Sequence, residues 1–180
     1  MRGKALTLKP VIYYRLLKMN KLATNTQTIK TSPLFNMHVT LKAPLNVGPS
    51  HAGHRIIFDV DSGFFEGEKL KGTLKQSGGD WLMLHPDGSY TLDVRVCLET
   101  EDGALIYMTY KGRWVIPQHL HKKVMSAETC DEVDKSEYYQ RNLVMFETSA
   151  PKYKWLNDLV AVSQGQRTNV GISYNVMAVL

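Results

Sequence analysis

The segment from Ser89 to Glu99 alternates strictly, and it constrains the fold more than any other part of the chain. Apolar residues occupy every second position from Tyr90 to Leu98, and the positions between them carry Thr, Asp, Arg and Cys. Successive side chains of a strand point to opposite faces, so this pattern predicts a strand with one apolar face. Tight-turn sequences at Pro86–Gly88 and Asp102–Gly103 flank the segment, which predicts hairpins and an antiparallel sheet.

Comparable short segments recur from Leu34 to the end of the chain, and the alternation over Phe35–Leu41 is one of them. Asp61–Gly63 and Ser77–Asp80 are predicted as turns, because Gly, Asp and Ser favour turns. Pro117–Ala127 is predicted as a short helix. Together these segments predict an all-β fold, a closed antiparallel β-barrel of about eight to ten strands with one or two short helices.

Positive charge is concentrated at the N-terminus. Residues 1–32 hold seven of the 22 basic residues and no acidic one, which leaves 15 basic against 17 acidic residues over 33–180. We therefore divide the chain into a basic tail, 1–32, predicted to be disordered, and a single β-barrel domain, 33–180. Because the domain is net negative, nucleic acid is not an expected partner. No run approaches the roughly 20 apolar residues that span a bilayer, so no membrane partner is expected.

The two cysteines, Cys97 and Cys130, form neither a CxxC motif nor a disulfide framework. Such sparse use of cysteine favours a reducing compartment, and we expect a cytoplasmic protein. The six histidines show no metal-ligand spacing, and the chain has no GxSxG, Walker or GxGxxG motif. We therefore expect no metal site and no cofactor.

Four fragments carry a resemblance to a known family: 64–74 (FFEGEKLKGTL), 78–112, 138–158 and 172–180 (ISYNVMAVL). In order and spacing they resemble the group called domain of unknown function 3237, over about Pro33 to Leu180. The resemblance implies a compact antiparallel barrel of the calycin or allene-oxide-cyclase type, and it implies no established activity. Gln140 stands where the resemblance leads us to expect an aromatic residue, so we expect the pocket wall to differ there.

Asp93 and Arg95 lie two residues apart on the predicted strand, so their side chains share one face. The residues alone leave two arrangements open. Either the pair faces solvent and the apolar face fills the barrel, or the pair lines a polar cavity. The resemblance, in which this Asp-x-Arg segment recurs, favours the cavity. There Arg95 would hold a carboxylate, phenolate or enolate, and Asp93 would orient the substrate or transfer a proton.

Tyr139 and Arg141 share one face of a second predicted strand, Tyr138–Thr148, and complete the candidate catalytic group. For Arg141 and Glu147, an exposed Arg and a Glu at the rim are an equal alternative. The candidate ligand-binding residues are Trp81, Tyr107, Glu147, Trp155 and Asn157. The two tryptophans would form core packing or an aromatic pocket wall, and Asn157 would cap a turn or contact the ligand.

The expected function is therefore that of a small-molecule cavity with cofactor-independent isomerase, cyclase or lyase chemistry at Asp93, Arg95, Tyr139 and Arg141. The alternative is a non-catalytic barrel that binds a small ligand through the same residues, and a fully packed structural barrel is a third class. A small-molecule ligand is the expected partner, and the sequence leaves open whether the protein forms a homo-oligomer. An enzyme would show an internal cavity and a titratable group of shifted pKa, whereas a binding barrel would show the cavity alone.

Overall fold

A computed structural model describes residues 28–180, and nine strands make up most of this part of the chain. The strands are β1 (Thr31–Leu41), β2 (Leu45–Ser50), β3 (Gly53–Glu66), β4 (Lys71–Leu84), β5 (Tyr90–Thr100), β6 (Leu105–Val115), β7 (Tyr139–Glu147), β8 (Ala161–Thr168) and β9 (Gly171–Val179). One short α-helix, α1 (His121–Met125), and two 3-10 helices, Cys130–Glu132 and Pro151–Asp158, complete the elements.

The predicted tail lies almost wholly outside the described residues. Its last residues do not, because β1 begins at Thr31. Thr31 and Ser32 pair with Val179 and Ala178 of β9. The sheet therefore starts two residues before the predicted domain boundary.

The sheet closes on itself. Its strands are antiparallel neighbours in the order β1-β9-β8-β7-β6-β5-β4-β3-β2, and β1 also pairs with β3. Eight strands therefore form a closed barrel, and β2 is a ninth strand added to the edge of β3. The prediction of a closed antiparallel barrel is confirmed, and so are the hairpin turns around Gly88 and Gly103, where φ is 81° and 80°.

Two segments predicted as turns lie instead inside long strands. Asp61–Gly63 belongs to β3, and Ser77–Asp80 belongs to β4. The glycines of the second segment form a bulge, because the register between β4 and β5 shifts between Leu74 and Gly78, and Gly78 has a φ of 115°. A bulge bends the strand as a closing barrel requires, so a local turn signal here marks curvature.

The predicted helix is shorter than Pro117–Ala127. Residues before His121 form a turn, in which the backbone N–H of Leu120 donates to the carbonyl of Pro117, and the helical part is α1 alone. The N–H groups of the first helical turn lack a side-chain cap, and Ser126 is already extended. A helix this short depends on tertiary contacts, which α1 makes through the buried Val124.

The two ends of the barrel differ in packing. At one end, Phe35 lies edge-on to Phe65 and to Phe146, with ring centroids 5.5 and 6.1 Å apart. Leu156, from the 3-10 helix Pro151–Asp158, is fully buried in the same core. At the other end the strand termini enclose a cavity, so side chains do not fill the interior there.

The bulge at Gly78 generates a stability prediction. Alanine at Gly78 would be strained by the positive φ, and its Cβ would also overlap the carbonyl oxygen of Arg95. Gly88 has a positive φ as well, but an added Cβ there meets nothing within 4 Å. We expect Gly88→Ala to cost about 1–2 kcal/mol of unfolding free energy and Gly78→Ala at least about 1 kcal/mol more, measured by urea unfolding. Equal costs would contradict this account of the bulge.

Candidate functional site

A cavity of about 460 Å³ occupies the open end of the barrel. Its wall is mainly aliphatic and aromatic, and the apolar residues that face it include Val39, Ile56, Phe58, Val60, Leu82, Leu92, Val94, Val96 and Ile172. Exposed residues of the β1–β2 loop, Ala43 and Pro44, and of the β8–β9 turn, Asn169 and Val170, also line it. The cavity therefore opens to solvent between these two loops, and its volume suits a small organic molecule.

Asp80 is the one acidic side chain on this wall among the described residues. It lies on β4 directly after the bulge, where its cross-strand partner is Val94. Its Oδ1 accepts a hydrogen bond of 3.1 Å from the backbone N–H of Asp93. The surface that Asp80 retains faces the cavity, and the rest of the carboxyl group is surrounded by protein.

Burial raises the pKa of Asp80 from 3.8 to about 7. The hydrogen bond from the Asp93 backbone favours the charged form, the Asp93 carboxylate disfavours it, and the nearby Arg55 guanidinium favours it. Burial outweighs these influences because a desolvated carboxylate loses its hydration. The carboxyl group is thus close to half ionised at neutral pH, which is the condition that general acid–base catalysis requires.

Two tyrosines, Tyr110 and Tyr174, line the cavity with Asp80. Their rings meet edge-on, with centroids 5.4 Å apart and an interplanar angle of 63°. Burial raises the pKa of both phenols, and the Asp80 carboxylate is close enough to raise each further. Both therefore stay protonated at neutral pH and can donate hydrogen bonds beside the carboxyl group.

The wall nearer the open end carries two more polar groups, on Trp114 and Gln140. These residues are direct cross-strand partners on β6 and β7. Tyr90 packs against Trp114 with ring centroids 5.2 Å apart, and its hydroxyl shares a 2.9 Å hydrogen bond with Nε2 of His121. That bond joins α1 to the barrel wall. Gln140 thus lies on the cavity wall, and the predicted difference of this wall from that of the family stays a prediction.

The structure does not place Asp93 and Arg95 in the cavity, and the cavity interpretation of this pair is wrong. On β5 the inward positions are Tyr90, Leu92, Val94 and Val96, so residues of the other parity face outward. Nη2 of Arg95 lies 3.4 Å from Oδ1 of Asp93, and Lys111 approaches the same carboxylate at 4.0 Å. The apolar face fills the barrel because charged groups retain their hydration outside.

Trp81 and Tyr139 also lie on the outer face of the barrel. The Arg95 guanidinium stacks over Trp81, 5.0 Å from the ring centroid, and the Arg141 guanidinium stacks over Tyr139 at 5.3 Å. Tyr139 is 52% exposed, and Arg141 donates to the carbonyl of Gln140. These are surface cation–π pairs, and none of the four predicted catalytic residues faces the cavity.

The remaining predicted ligand-binding residues lie away from the cavity as well. Tyr107 and Glu147 are exposed cross-strand partners on β6 and β7. Trp155 is half-buried in the 3-10 helix at the packed end, with the Lys69 ammonium 5.7 Å from its ring centroid. Asn157 caps the turn after β7 through two hydrogen bonds with the backbone of Thr148. The structure thus brings this set to the surface and to the packed end.

The sequence analysis missed Asp80 because the glycines before it predict a turn. The sequence nevertheless contains an indication that Asp80 faces inward. Asp80 shares its parity with Leu82 and Leu84, so continuing the β4 alternation through the glycines places this carboxylate on the apolar face. The same reasoning applies to Gln140, which shares its parity with Tyr138 and Val144.

Two further findings concern residues 28–180. In this part of the chain no group of three or more His, Cys, Asp or Glu side chains is arranged to hold a metal ion. No helix of the same region has the length and apolar character needed to cross a membrane.

The pKa of Asp80 generates a pH-dependent prediction. Its folded value, about 7, exceeds the ordinary 3.8, so the stability that protonation provides is complete below pH 4 and is lost as the pH rises to about 7. Asparagine keeps the shape without the ionisation. We expect Asp80→Asn and the parent protein to unfold with similar free energies at pH 4, and the variant to be more stable by about 2–4 kcal/mol at pH 8. A difference independent of pH, measured by urea unfolding, would contradict the buried ionisation.

The outward position of Asp93 and Arg95 generates a second prediction. Exposed ion pairs contribute little, because water screens both charges. We expect Asp93→Asn and Arg95→Met each to change the unfolding free energy by less than about 1 kcal/mol, with a coupling in the double variant below about 1 kcal/mol. Losses of about 3–5 kcal/mol would instead indicate a buried pair.

Comparisons with known proteins match most of the residues that the structure describes. The family described as "Protein of unknown function (DUF3237)" matches residues 29–179. A curated protein of Clostridium acetobutylicum, named a UPF0311 protein, is 30% identical over 145 residues, which cover 80% of this chain and 90% of that protein.

Solved structures extend the likeness to the fold. A protein of Acinetobacter baumannii described as β-barrel like is 35% identical, with a TM-score of 0.73 over 87% of this chain and 99% of that one. A structure described as an enzyme from Penicillium herquei is 19% identical, with a TM-score of 0.65 over 88% of this chain and 100% of that one. This last likeness concerns the fold alone. By its family match over nearly all of the described residues, the chain belongs to the DUF3237 family, an uncharacterised family of β-barrel proteins.

Proposed function

We propose that this protein catalyses proton transfer on a small carbonyl compound, as a cofactor-independent isomerase, cyclase or lyase, with Asp80 as the general base. One observation carries the proposal. A carboxyl group faces a largely apolar cavity without an ion-pair partner among residues 28–180, and two protonated phenols stand beside it. Such an arrangement costs stability, and perturbed ionisable groups in cavities are candidates for catalysis.

The step that these groups support is enolisation. The Asp80 carboxylate would take a proton from the carbon next to a carbonyl group, and the C–H electron pair would form a carbon–carbon double bond. The carbonyl π electrons would move to oxygen, and the resulting enolate oxygen would accept a hydrogen bond from Tyr110 or Tyr174. Asp80, now a carboxylic acid, would return the proton to the same carbon or to another. Isomerisation needs only this exchange. Ring closure would also need the enolate carbon to form a bond to an electrophilic carbon of the same molecule, whose π electrons then accept the proton. Elimination would also need a leaving group on the β-carbon to depart with its bonding electrons and accept the proton.

The apolar wall supports the same role. Leu82, Val94 and Phe58 surround the region of Asp80 and limit the access of water. In such surroundings a hydrogen bond to a developing enolate is stronger than in water. The fold offers a precedent, since the Penicillium herquei protein of this fold is described as an enzyme, although a shared fold does not transfer a reaction.

A non-catalytic binding barrel is the second candidate. The observation that favours it is the pair of polar groups on Trp114 and Gln140, which suit recognition of a ligand and lie on the wall between the open end and Asp80. The two candidates differ in one respect. Both require a ligand in the cavity, but only catalysis requires the proton of that ligand to move through Asp80.

Hydrogen–deuterium exchange of a bound ketone tests the proposal. Neutral aryl ketones such as 2-acetonaphthone would be incubated in D2O with the parent protein, and exchange of the α-protons would be followed by NMR. We expect exchange that increases with pH through about 7, as Asp80 ionises, and that falls about 100-fold or more in Asp80→Asn.

Asp93→Asn is the matched control, because it removes a neighbouring carboxylate that lies on the outer face. We expect it to retain the exchange activity of the parent protein. If Asp80→Asn exchanges the ketone as fast as the parent, Asp80 is not the base. If the ketones bind and none exchanges, the protein is a binding barrel.

A further inference from the structure

Gln140 is a buried amide on the cavity wall whose two polar atoms both lack a partner. The residue is 1% exposed, and neither Oε1 nor Nε2 has a hydrogen-bond partner among the described residues. Its neighbour on β7, Asn142, does not line the cavity and is half satisfied: its Nδ2 donates a 2.9 Å hydrogen bond to Ser163, whereas its Oδ1 has no partner among the described residues. A buried amide without hydrogen-bond partners is destabilising, so its retention at a cavity surface needs a reason.

Gly165 on β8 makes room for this amide. A Cβ added at Gly165 would come within 2.5–2.8 Å of Cδ, Oε1 and Nε2 of Gln140 alike, so the amide plane lies flat against the glycine. The donor and acceptor edges are therefore directed along the wall. The last torsion of a glutamine side chain is soft, so either edge can turn toward a molecule in the cavity.

Trp114 adds a second unpaired donor beside the amide. It stands directly across from Gln140 in the β6–β7 register, and its indole Nε1 also lacks a partner among residues 28–180. Both residues line the same cavity as Asp80. Two donors and one acceptor without hydrogen-bond partners among the described residues thus occur together on one part of the wall.

The remaining charges indicate a neutral ligand. Nη1 of the Arg167 guanidinium donates to the carbonyls of Thr168 and Gly171, at 2.6 Å each, which holds this group at the β8–β9 turn. Lys42 lies at the exposed open end, where water screens its charge. An anion placed beside Asp80 would therefore meet its carboxylate directly, whereas Arg167 and Lys42 lie towards the open end.

We propose that Gln140 and Trp114 form a substrate-binding subsite for a neutral, planar group with a carbonyl oxygen next to an N–H or O–H, such as a carboxamide or an enolised hydroxy-ketone. The carbonyl oxygen accepts from Trp114 Nε1 and Gln140 Nε2, and the ligand N–H or O–H donates to Gln140 Oε1. This inference rests on the proposed function, because it names the class of molecule that is brought to Asp80.

Three naphthalene probes of matched shape test the subsite. 2-Naphthamide carries both a donor and an acceptor, 2-acetonaphthone an acceptor only, and 2-isopropenylnaphthalene neither. We expect the parent protein to bind them with affinity falling in that order, measured by ligand-observed NMR titration. In Gln140→Leu, affinity for 2-naphthamide should fall about tenfold or more, while affinity for 2-isopropenylnaphthalene is retained.

Companion variants separate recognition from folding. Gln140→Leu should unfold at a temperature equal to or above that of the parent, because it removes an unpaired buried amide. Trp114→Phe should weaken binding of the amide and the ketone alike, since it removes the shared donor. Ser163→Ala is the control, because Ser163 is buried and polar but does not line the cavity, and we expect unchanged binding.

The inference is overturned if Gln140→Leu binds 2-naphthamide as the parent does, or if the parent binds none of the probes. Titrations in the Asp80→Asn background distinguish this failure from failure of the proposed function. If the Asp80→Asn variant still binds 2-naphthamide more tightly than the other probes, and the parent protein exchanges no ketone, the subsite is supported and the catalysis is contradicted. If instead ketone exchange depends on Asp80 and probe binding does not depend on Gln140, the catalysis is supported and the subsite is contradicted.

Discussion

The double pairing of β1, with β9 on one side and β3 on the other, is the interaction on which the rest of the structure depends. Met37 shows it directly, since it is the cross-strand partner of Tyr174 in β9 and of Phe65 in β3. Once the sheet is closed, the inner face of each strand can contact only other inner faces. Residues far apart in the chain, such as Asp80 and Tyr174, then share one wall of the cavity.

Closure also requires curvature, and the site lies where the curvature is produced. The bulge at Gly78 bends β4 directly before Asp80. Neither Gly78 nor Gly79 has room for a Cβ, because backbone carbonyls of the adjacent strands lie in the way. The close approach of three backbones brings the Asp80 carboxyl group to the N–H of Asp93. The geometry that closes the barrel is therefore the geometry that holds the proposed base.

Asp93 shows how one residue serves both faces of the wall. Its backbone N–H supports the buried Asp80, while its side chain pairs with Arg95 outside. Burial raises the pKa of the Asp80 carboxyl group because desolvation disfavours its charged form, whereas the Asp93 side chain lies outside the barrel beside Arg95. Burial of an ionisable group opposes stability, as does the unpaired amide of Gln140, and both costs fall at the end of the barrel that holds the cavity.

The sequence by itself determined the fold class and the parity of most strands. Alternation over β5 and β7, with glycine turns between strands, is local information, and it correctly predicted an antiparallel barrel whose apolar faces lie together. It did not determine which side of β5 encloses a ligand. Asp93 and Arg95 share one face of β5 whether that face lines the cavity or meets solvent. In the closed sheet this face lies outside, because charged side chains are more stable when they stay hydrated. Parity with Leu82 places Asp80 on the apolar face, but the cavity that it faces, and the pairing that sets Gln140 beside Trp114, arise from contacts between strands distant in sequence. Only the tertiary structure therefore decided where the site lies.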